Sequence, residues 1–305
     1  MTKKLKNKTV NFYHIESKNK DKESEILAKI DKCIEETYLN LKNHKSENIQ
    51  TITIKDNQYY IYSMSKAYVD ETGNKYAWLI DISRLDPTRP INIGDLNKDI
   101  ESRNKTLDTT DGQGEVVDTQ FLYDPDTHVC IFARTLGGIN KALFKSFLLK
   151  FCNIRGIEIA IIPDEIAINK LDTLKETSSL IYTVARIDNL SNIADENRDE
   201  LKDLQYANEL QANQMTMILK ADSMNKQGVI DKAKMLFKNS EDLGIKKLEL
   251  EGINDDGIFE PVDLVQHKLV YHGKVEYENV VTIRNMFDFL EVAYHEHYNF
   301  CRNFK

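Results

Sequence analysis

Residues 119–153 read TQFLYDPDTHVCIFARTLGGINKALFKSFLLKFCN. Two apolar runs, 119–123 and 128–134, flank Asp124-Pro125-Asp126, whose residue types favour a tight turn, so the stretch begins as a β-hairpin. From residue 140 the period changes. Leu143, Phe144, Phe147, Leu148 and Phe151 fall on one face of a helix over 140–153, with Lys141, Lys145 and Lys150 outside it and Gly156 placed to stop the chain beyond. A hairpin running into an amphipathic helix belongs to an α+β fold.

The pattern continues on both sides. Upstream lie a short β-like run at 9–14, a helix over 25–41, a hairpin of 51–55 and 58–63 about Asp56-Asn57, and a strand over 76–82 ended by Asp86-Pro87. Residues 84–114 are polar and predict a long irregular connection flanking a short helix. Downstream, 157–162 is apolar except for Glu158, as in a strand covered on both faces. A short helix over 166–176 and a strand over 180–187 follow. Residues 191–214, charged and then rich in Gln and Asn, predict a boundary or an exposed helical hairpin. Beyond them come strand 215–221, helix 227–239, strand 245–252, a turn at 255–257, strand 262–271 and a helix over 281–300 that packs on a domain core or across a dimer interface. The element order predicts α+β, with mixed or antiparallel sheets, flanking helices and a long C-terminal helix, rather than a doubly wound parallel sheet. Two domains are expected, 1–190 and 215–305, joined by 191–214.

Composition narrows the function classes. The chain has 305 residues, 41% hydrophobic and 30% charged, with 12 Gly and 5 Pro, an ordinary globular balance. No apolar run approaches the length of a membrane span, and the first eight residues lack a signal-peptide core. Cys33, Cys130, Cys152 and Cys301 have no paired spacing, so neither a disulfide framework nor a zinc module is expected, and a reduced cytoplasmic protein is the default. The net charge is −8, although seven lysines stand against Glu16 and Asp21 through Lys22. An acidic body argues mildly against non-specific nucleic-acid binding without excluding a local basic groove.

Strong catalytic signatures are absent: there is no GxxxxGK[ST] loop, GxGxxG, GxSxG or HExxH. The amides of Gly137-Gly138 precede a helix and invite a phosphate, but a tight turn explains them better. His295 and His297 are two apart on a helix and point away from each other, and His267 and His272 would join them only through tertiary structure. Pro163-Asp164 and Glu200-Leu201-Lys202 match the letters of a PD…(D/E)xK magnesium nuclease, with Glu200 in a polar segment rather than on a core strand. No catalytic residue, metal or cofactor is expected.

Several patches together resemble one family. Phe121-Leu122-Tyr123, then Phe132-Ala133-Arg134-Thr135-Leu136-Gly137-Gly138, then Ser146-Phe147-Leu148 resemble the RexA-like phage exclusion sensors, in which a strand ending Phe-Ala-Arg-Thr leads through a Gly turn into a helix. Met217-Ile218-Leu219-Lys220 with Lys226, Lys232 and Lys234, the strand at 246–251 and Asn254-Asp255-Asp256-Gly257 are similar to that family's strand, Lys-rich helix, strand and turn. Asn11-Phe12-Tyr13 with 17–22 looks like its start. The resemblance implies a two-domain homodimer that encloses double-stranded DNA and acts with a membrane effector to abort infection; the KwaB-like anti-phage proteins, which also work beside a membrane partner, are a related possibility. On this reading Arg134, Lys141, Lys145, Lys220, Lys226, Lys234 and Lys238 are the candidate DNA contacts. Lys141 and Lys145 share a helix face and Lys150 does not; Lys234 and Lys238 share another, with Lys226 near its start. Arg134 would touch phosphate or pair with a carboxylate to fix the turn. Two alternatives stand beside this: an intracellular interaction protein gating a membrane effector without DNA contact, and a metal-dependent nuclease built on Asp164 and Glu200.

Overall fold

The computed structural model describes every residue except 1–2, 70–72, 74, 96, 103, 134, 185–205, 208, 242, 255–257 and 304–305, and it describes the side chains of all the others except Ser46, Ile168 and Glu260. The fold is α+β, as the sequence predicts. In chain order the elements are β1 (Lys4–Ser17), α1 (Glu23–Lys42), β2 (Ile52–Ile54), β3 (Asn57–Tyr68), β4 (Tyr76–Asp86), β5 (Ile91–Gly94), β6 (Asn104–Leu107), β7 (Glu115–Asp124), β8 (Val129–Ala133), α2 (Lys141–Phe151), β9 (Ile157–Ile161), α3 (Glu165–Thr173), β10 (Leu174–Val184), β11 (Met215–Met224), α4 (Lys226–Lys238), β12 (Ile245–Asn254), β13 (Phe259–Asp263), β14 (Val270–Tyr277) and α5 (Ile283–Asn303).

Two compact units result: Met1–Ile159 with Tyr271–Lys305, and Ala160–Val270. The division differs from the expected domains 1–190 and 215–305. The polar 191–214 stretch does not separate two bodies, because the strands before and after it, β10 and β11, are antiparallel neighbours paired from Thr177↔Met224 to Val184↔Met215. The second unit is an insertion, which a search for linear boundaries cannot detect.

The first unit is built on a sheet of order β14-β1-β8-β7-β4-β3-β2, with β9 also pairing β1. Strand alternation sends successive side chains to opposite faces. On one face Ile15, Ile61, Ile80, Ile82 and Tyr123 pack against Ile34 of α1 and Phe144, Phe147, Leu148 and Phe151 of α2. On the other, α5 docks through Tyr294, whose hydroxyl donates to Asp124 Oδ2 at 2.5 Å, and His297, whose ring meets Phe12 edge-on at 5.1 Å. The last helix thus covers its own unit's sheet, burying Met286, Phe287, Phe289, Leu290, Ala293 and Tyr294. Thr282 and Asn285 close its start reciprocally: the Thr282 amide donates to Asn285 Oδ1 at 3.0 Å and the Asn285 amide to Thr282 Oγ1 at 3.2 Å.

An aromatic box reinforces the α1 side. Lys66 Nζ on β3 lies 3.7 Å from the ring centre of Tyr76, 4.8 Å from that of Trp78 and 5.6 Å from that of Tyr38 on α1. A partly desolvated cation over several π-faces adds about 1–2 kcal/mol to such a joint.

In the second unit the sheet order is β11-β10-β12-β13. One face carries α4, whose Val229, Ile230, Ala233, Leu236 and Phe237 are buried at helical spacing. Two local expectations change. The 84–114 stretch is not wholly irregular, since β4 extends to Asp86 and β5 pairs β6 from Ile91↔Leu107 to Gly94↔Asn104. The predicted strand over 262–271 is broken because the Asp263 carboxylate accepts the Val265 amide at 3.1 Å and caps a 3₁₀ turn.

The Tyr294–Asp124 bond yields a test. Tyr294→Phe keeps the ring and leaves a buried carboxylate short of a donor, so urea denaturation should show a loss of about 1–3 kcal/mol with unchanged m-value.

Candidate nucleic-acid interface

The basic stretch of the second unit starts on β11 and continues into α4. Asn225 caps α4, its side chain accepting the Gly228 amide at 2.9 Å. With the apolar stripe turned to the sheet, the lysines fall at the margin and on the outer face: Lys220 on β11 and Lys234 are exposed, while Lys226, Lys232 and Lys238 are half-buried. Asp231 lies on the same outer face and takes a bond from Gln227 at 2.8 Å. Along 220–238 these five lysines face only Asp222 and Asp231, a basic run within an acidic chain.

Lys141 and Lys145 belong to the first unit. Lys141 opens α2 but is only 5% exposed, leaving little of it for a phosphate to reach. Lys145 is half-buried, and both it and Lys141 are engaged by neighbouring groups. Lys150 donates to Thr53 O at 2.7 Å. Arg134 lies outside the described residues.

The turn after β8 is held by a residue that the sequence reading passed over. Arg84 Nη1 donates to Gly137 O, its Nε to Asn57 Oδ1 at 3.1 Å, and its Nη2 to Asp86 Oδ2 at 2.9 Å. Gly137 has φ +76°, and a Cβ on Gly138 would stand 2.4 Å from Thr119 Oγ1, so both glycines are required by the turn itself. The Gly138 amide is already used, donating to Thr135 O at 3.1 Å, and so is the next one, Ile139 N donating to Thr119 Oγ1 at 2.9 Å. An Arg beside Asp in the strand end Ser83-Arg84-Leu85-Asp86 was the available signal.

Nuclease chemistry finds little support in the described geometry. Asp164 is the N-cap of α3, with Oδ1 accepting the Ala167 amide at 2.7 Å and Oδ2 lying 3.1 Å from His267 Nδ1. Glu200 lies outside the described residues. His272 pairs with Thr9 at 3.0 Å, and His297 is lowered by burial against Phe12. Among the described residues no three His, Cys, Asp or Glu side chains converge on a metal position.

One buried carboxylate stands out. Asp81 is fully inaccessible on β4; Gln120 Nε2 donates to its Oδ1 at 2.6 Å, and its Oδ2 has no partner. Asp118, held by Ser83 Oγ at 2.7 Å, lies on the same face one step along the β4–β7 ladder. Burial, reinforced by the Asp118 charge and opposed by the Gln120 bond, pushes Asp81 up to about 7. An aspartate inside the apolar run Trp78-Leu79-Ile80-Asp81-Ile82 was legible as a buried acid.

Against known proteins the chain matches no family model, no curated protein and no solved structure. Among the described residues no helix is long and apolar enough to cross a membrane.

The raised Asp81 predicts a pH response. The native state holds its proton up to about 7, whereas an unfolded Asp releases it near 4, so this group's contribution to stability is complete in acid and is lost as pH rises through that window. Asp81→Asn should match the wild type below about pH 3.5, draw ahead of it as pH rises from about 4 to 7, and exceed it by roughly 2–4 kcal/mol above pH 7.5 in urea titrations.

Proposed function

We propose that the chain is a non-enzymatic, non-sequence-specific DNA-binding sensor of phage exclusion or abortive infection, like the RexA-like proteins it resembles. It acts as a homodimer on double-stranded DNA and passes its signal to a membrane effector. The observation that supports the DNA contact is the run of Lys220, Lys226, Lys234 and Lys238 along β11 and α4, of which Lys220 and Lys234 are exposed and Lys226 and Lys238 half-buried. Ammonium groups at such positions neutralise phosphates and carry no base code. The surrounding acidity restricts the approach of DNA to that run.

Binding to random duplex should fall steeply with salt, with a log–log slope of about −0.9 per phosphate neutralised, so that four lysines give about −3 to −4. Lys234→Glu with Lys238→Glu should weaken every duplex alike and flatten the slope by roughly 2. Gel shifts at about 50 mM and 200 mM salt measure both, and no retention at the lower concentration would refute the reading. A different observation supports the partner-gating alternative. Beyond β10, β11 has no second neighbour among the described residues, and it exposes Ile218 by 55% and Leu219 by 40%, as a strand-adding protein partner would require.

A further inference from the structure

The first unit's sheet ends in β14, which lies beside β1 and has no strand on its other side among the described residues. An open edge accepts almost any extended chain, and proteins commonly guard it with charge. Here the charges change sign along one face. Side chains alternate through the strand: His272, Lys274 and Glu276 are exposed, Val275 is buried, and Tyr271, Gly273 and Tyr277 are half-buried. The second set faces α5, since a Cβ on Gly273 would stand 2.6 Å from the Tyr271 ring and 2.8 Å from the Phe289 ring. The first set lies on the opposite face, where Lys3 Nζ meets Glu276 Oε2 at 2.8 Å and His272 Nδ1 lies 3.0 Å from Thr9 Oγ1. Glu278, also exposed, follows just beyond the strand. On the α5 side a groove of about 800 Å³ runs along the strand, lined in part by Tyr277, Phe289, Val280 and Val292. Val280 and Val292 are 69% and 50% exposed there.

We propose that the open edge of β14 is the dimer interface, occupied by β14 of a second copy running antiparallel about a two-fold axis at Val275. The inference deepens the homodimer of the proposed function and rests on that reading. Antiparallel pairing sets each residue opposite one on the same face of the sheet. With Val275 on the axis, Lys274 of each copy stands opposite Glu276 of the other, and His272 opposite Glu278. An axis at residue 274 would set lysine against lysine, and one at 276 glutamate against glutamate. Like charges directly opposite are destabilising, so the pattern selects a single register. On the α5 face Gly273 falls opposite Tyr277 of the other copy, whose ring covers backbone that the glycine leaves bare. An unrelated strand would have to carry the same alternation by chance. A second copy carries it by symmetry, because the two faces of such an interface are one surface.

In sedimentation equilibrium the full chain should show twice its mass of 35.3 kDa. Lys274→Glu alone and Glu276→Lys alone should each weaken the dimer about tenfold or more, because two symmetric attractions become repulsions. Lys274→Glu combined with Glu276→Lys exchanges the signs, keeps them opposed across the axis, and should restore the dimer. A carbodiimide, which joins amines to carboxylates without a spacer, should act on a mixture of light- and heavy-nitrogen wild-type chains to give a mixed-isotope peptide linking Lys274 to Glu276. That peptide reads the register even if a variant does not fold. A monomeric wild type, a dimer indifferent to the single reversals, or a double variant as weak as the singles would each overturn the interface. Duplex retention is measured separately by gel shift. A rescued dimer that retains no DNA supports the interface and refutes the DNA reading alone, whereas a DNA-retaining dimer indifferent to the reversals refutes the interface alone.

Discussion

Tyr123 and Asp124, consecutive residues at the end of β7, hold the first unit together from both sides of its sheet. Because strand side chains alternate, one points to α1 and the next to α5. Tyr123 donates its hydroxyl to Asp31 on α1 at 2.7 Å, and Asp124 accepts from Tyr294 on α5 at 2.5 Å. The turn that follows is fixed by the same carboxylate, Asp124 Oδ1 accepting the Asp126 amide at 2.8 Å, while Thr127 reaches the Tyr294 hydroxyl at 3.0 Å. Burial raises Asp31, Tyr123 and Tyr294, with their charged neighbours adding to the effect for both tyrosines. Such groups are stable in the interior only while bonded to one another. Both helices therefore take their position from a single hairpin corner, and losing either bond would leave a buried polar group without its partner.

That corner also shows how far the sequence could be read. The hairpin at 119–134, the helix after it and the last helix follow from apolar period and turn chemistry, which are local properties. The role of Asp124 as anchor for Tyr294 was not legible, because 170 positions separate the two residues. Arg84 could be singled out from its neighbour Asp86, but its bond to Gly137, 53 positions away, could not. The insertion of Ala160–Val270 was missed for a related reason: polar composition at 191–214 imitates a linker, although strand pairing across it keeps one sheet intact. For the lysines, helical spacing placed Lys234 and Lys238 one turn apart, and both lie on α4. It could not reveal that Lys141, at the start of α2, is buried.

Charge is distributed unevenly between the units. Acidic and basic residues balance in Met1–Ile159 with Tyr271–Lys305, so the whole net charge of −8 belongs to Ala160–Val270, the unit that also holds the basic 220–238 run. Opposite signs close together on one small body make a strong local gradient rather than a broad field. On the DNA-binding proposal, a polyanion would be drawn to the 220–238 run, whose lysines belong to a unit of net negative charge. Salt weakens attraction and repulsion together.

The interrupted first unit imposes an order on synthesis. When Ile159 leaves the ribosome, its sheet still lacks β14, and one face still lacks α5. The inserted unit is complete once Val270 emerges, before β14 and α5 have followed it, so it can fold while its host waits. Until α5 emerges, Asp124 has no Tyr294, and the apolar face around Phe12 and Leu122 has no cover. The host unit of such a nascent chain is therefore most exposed while its insertion is being made.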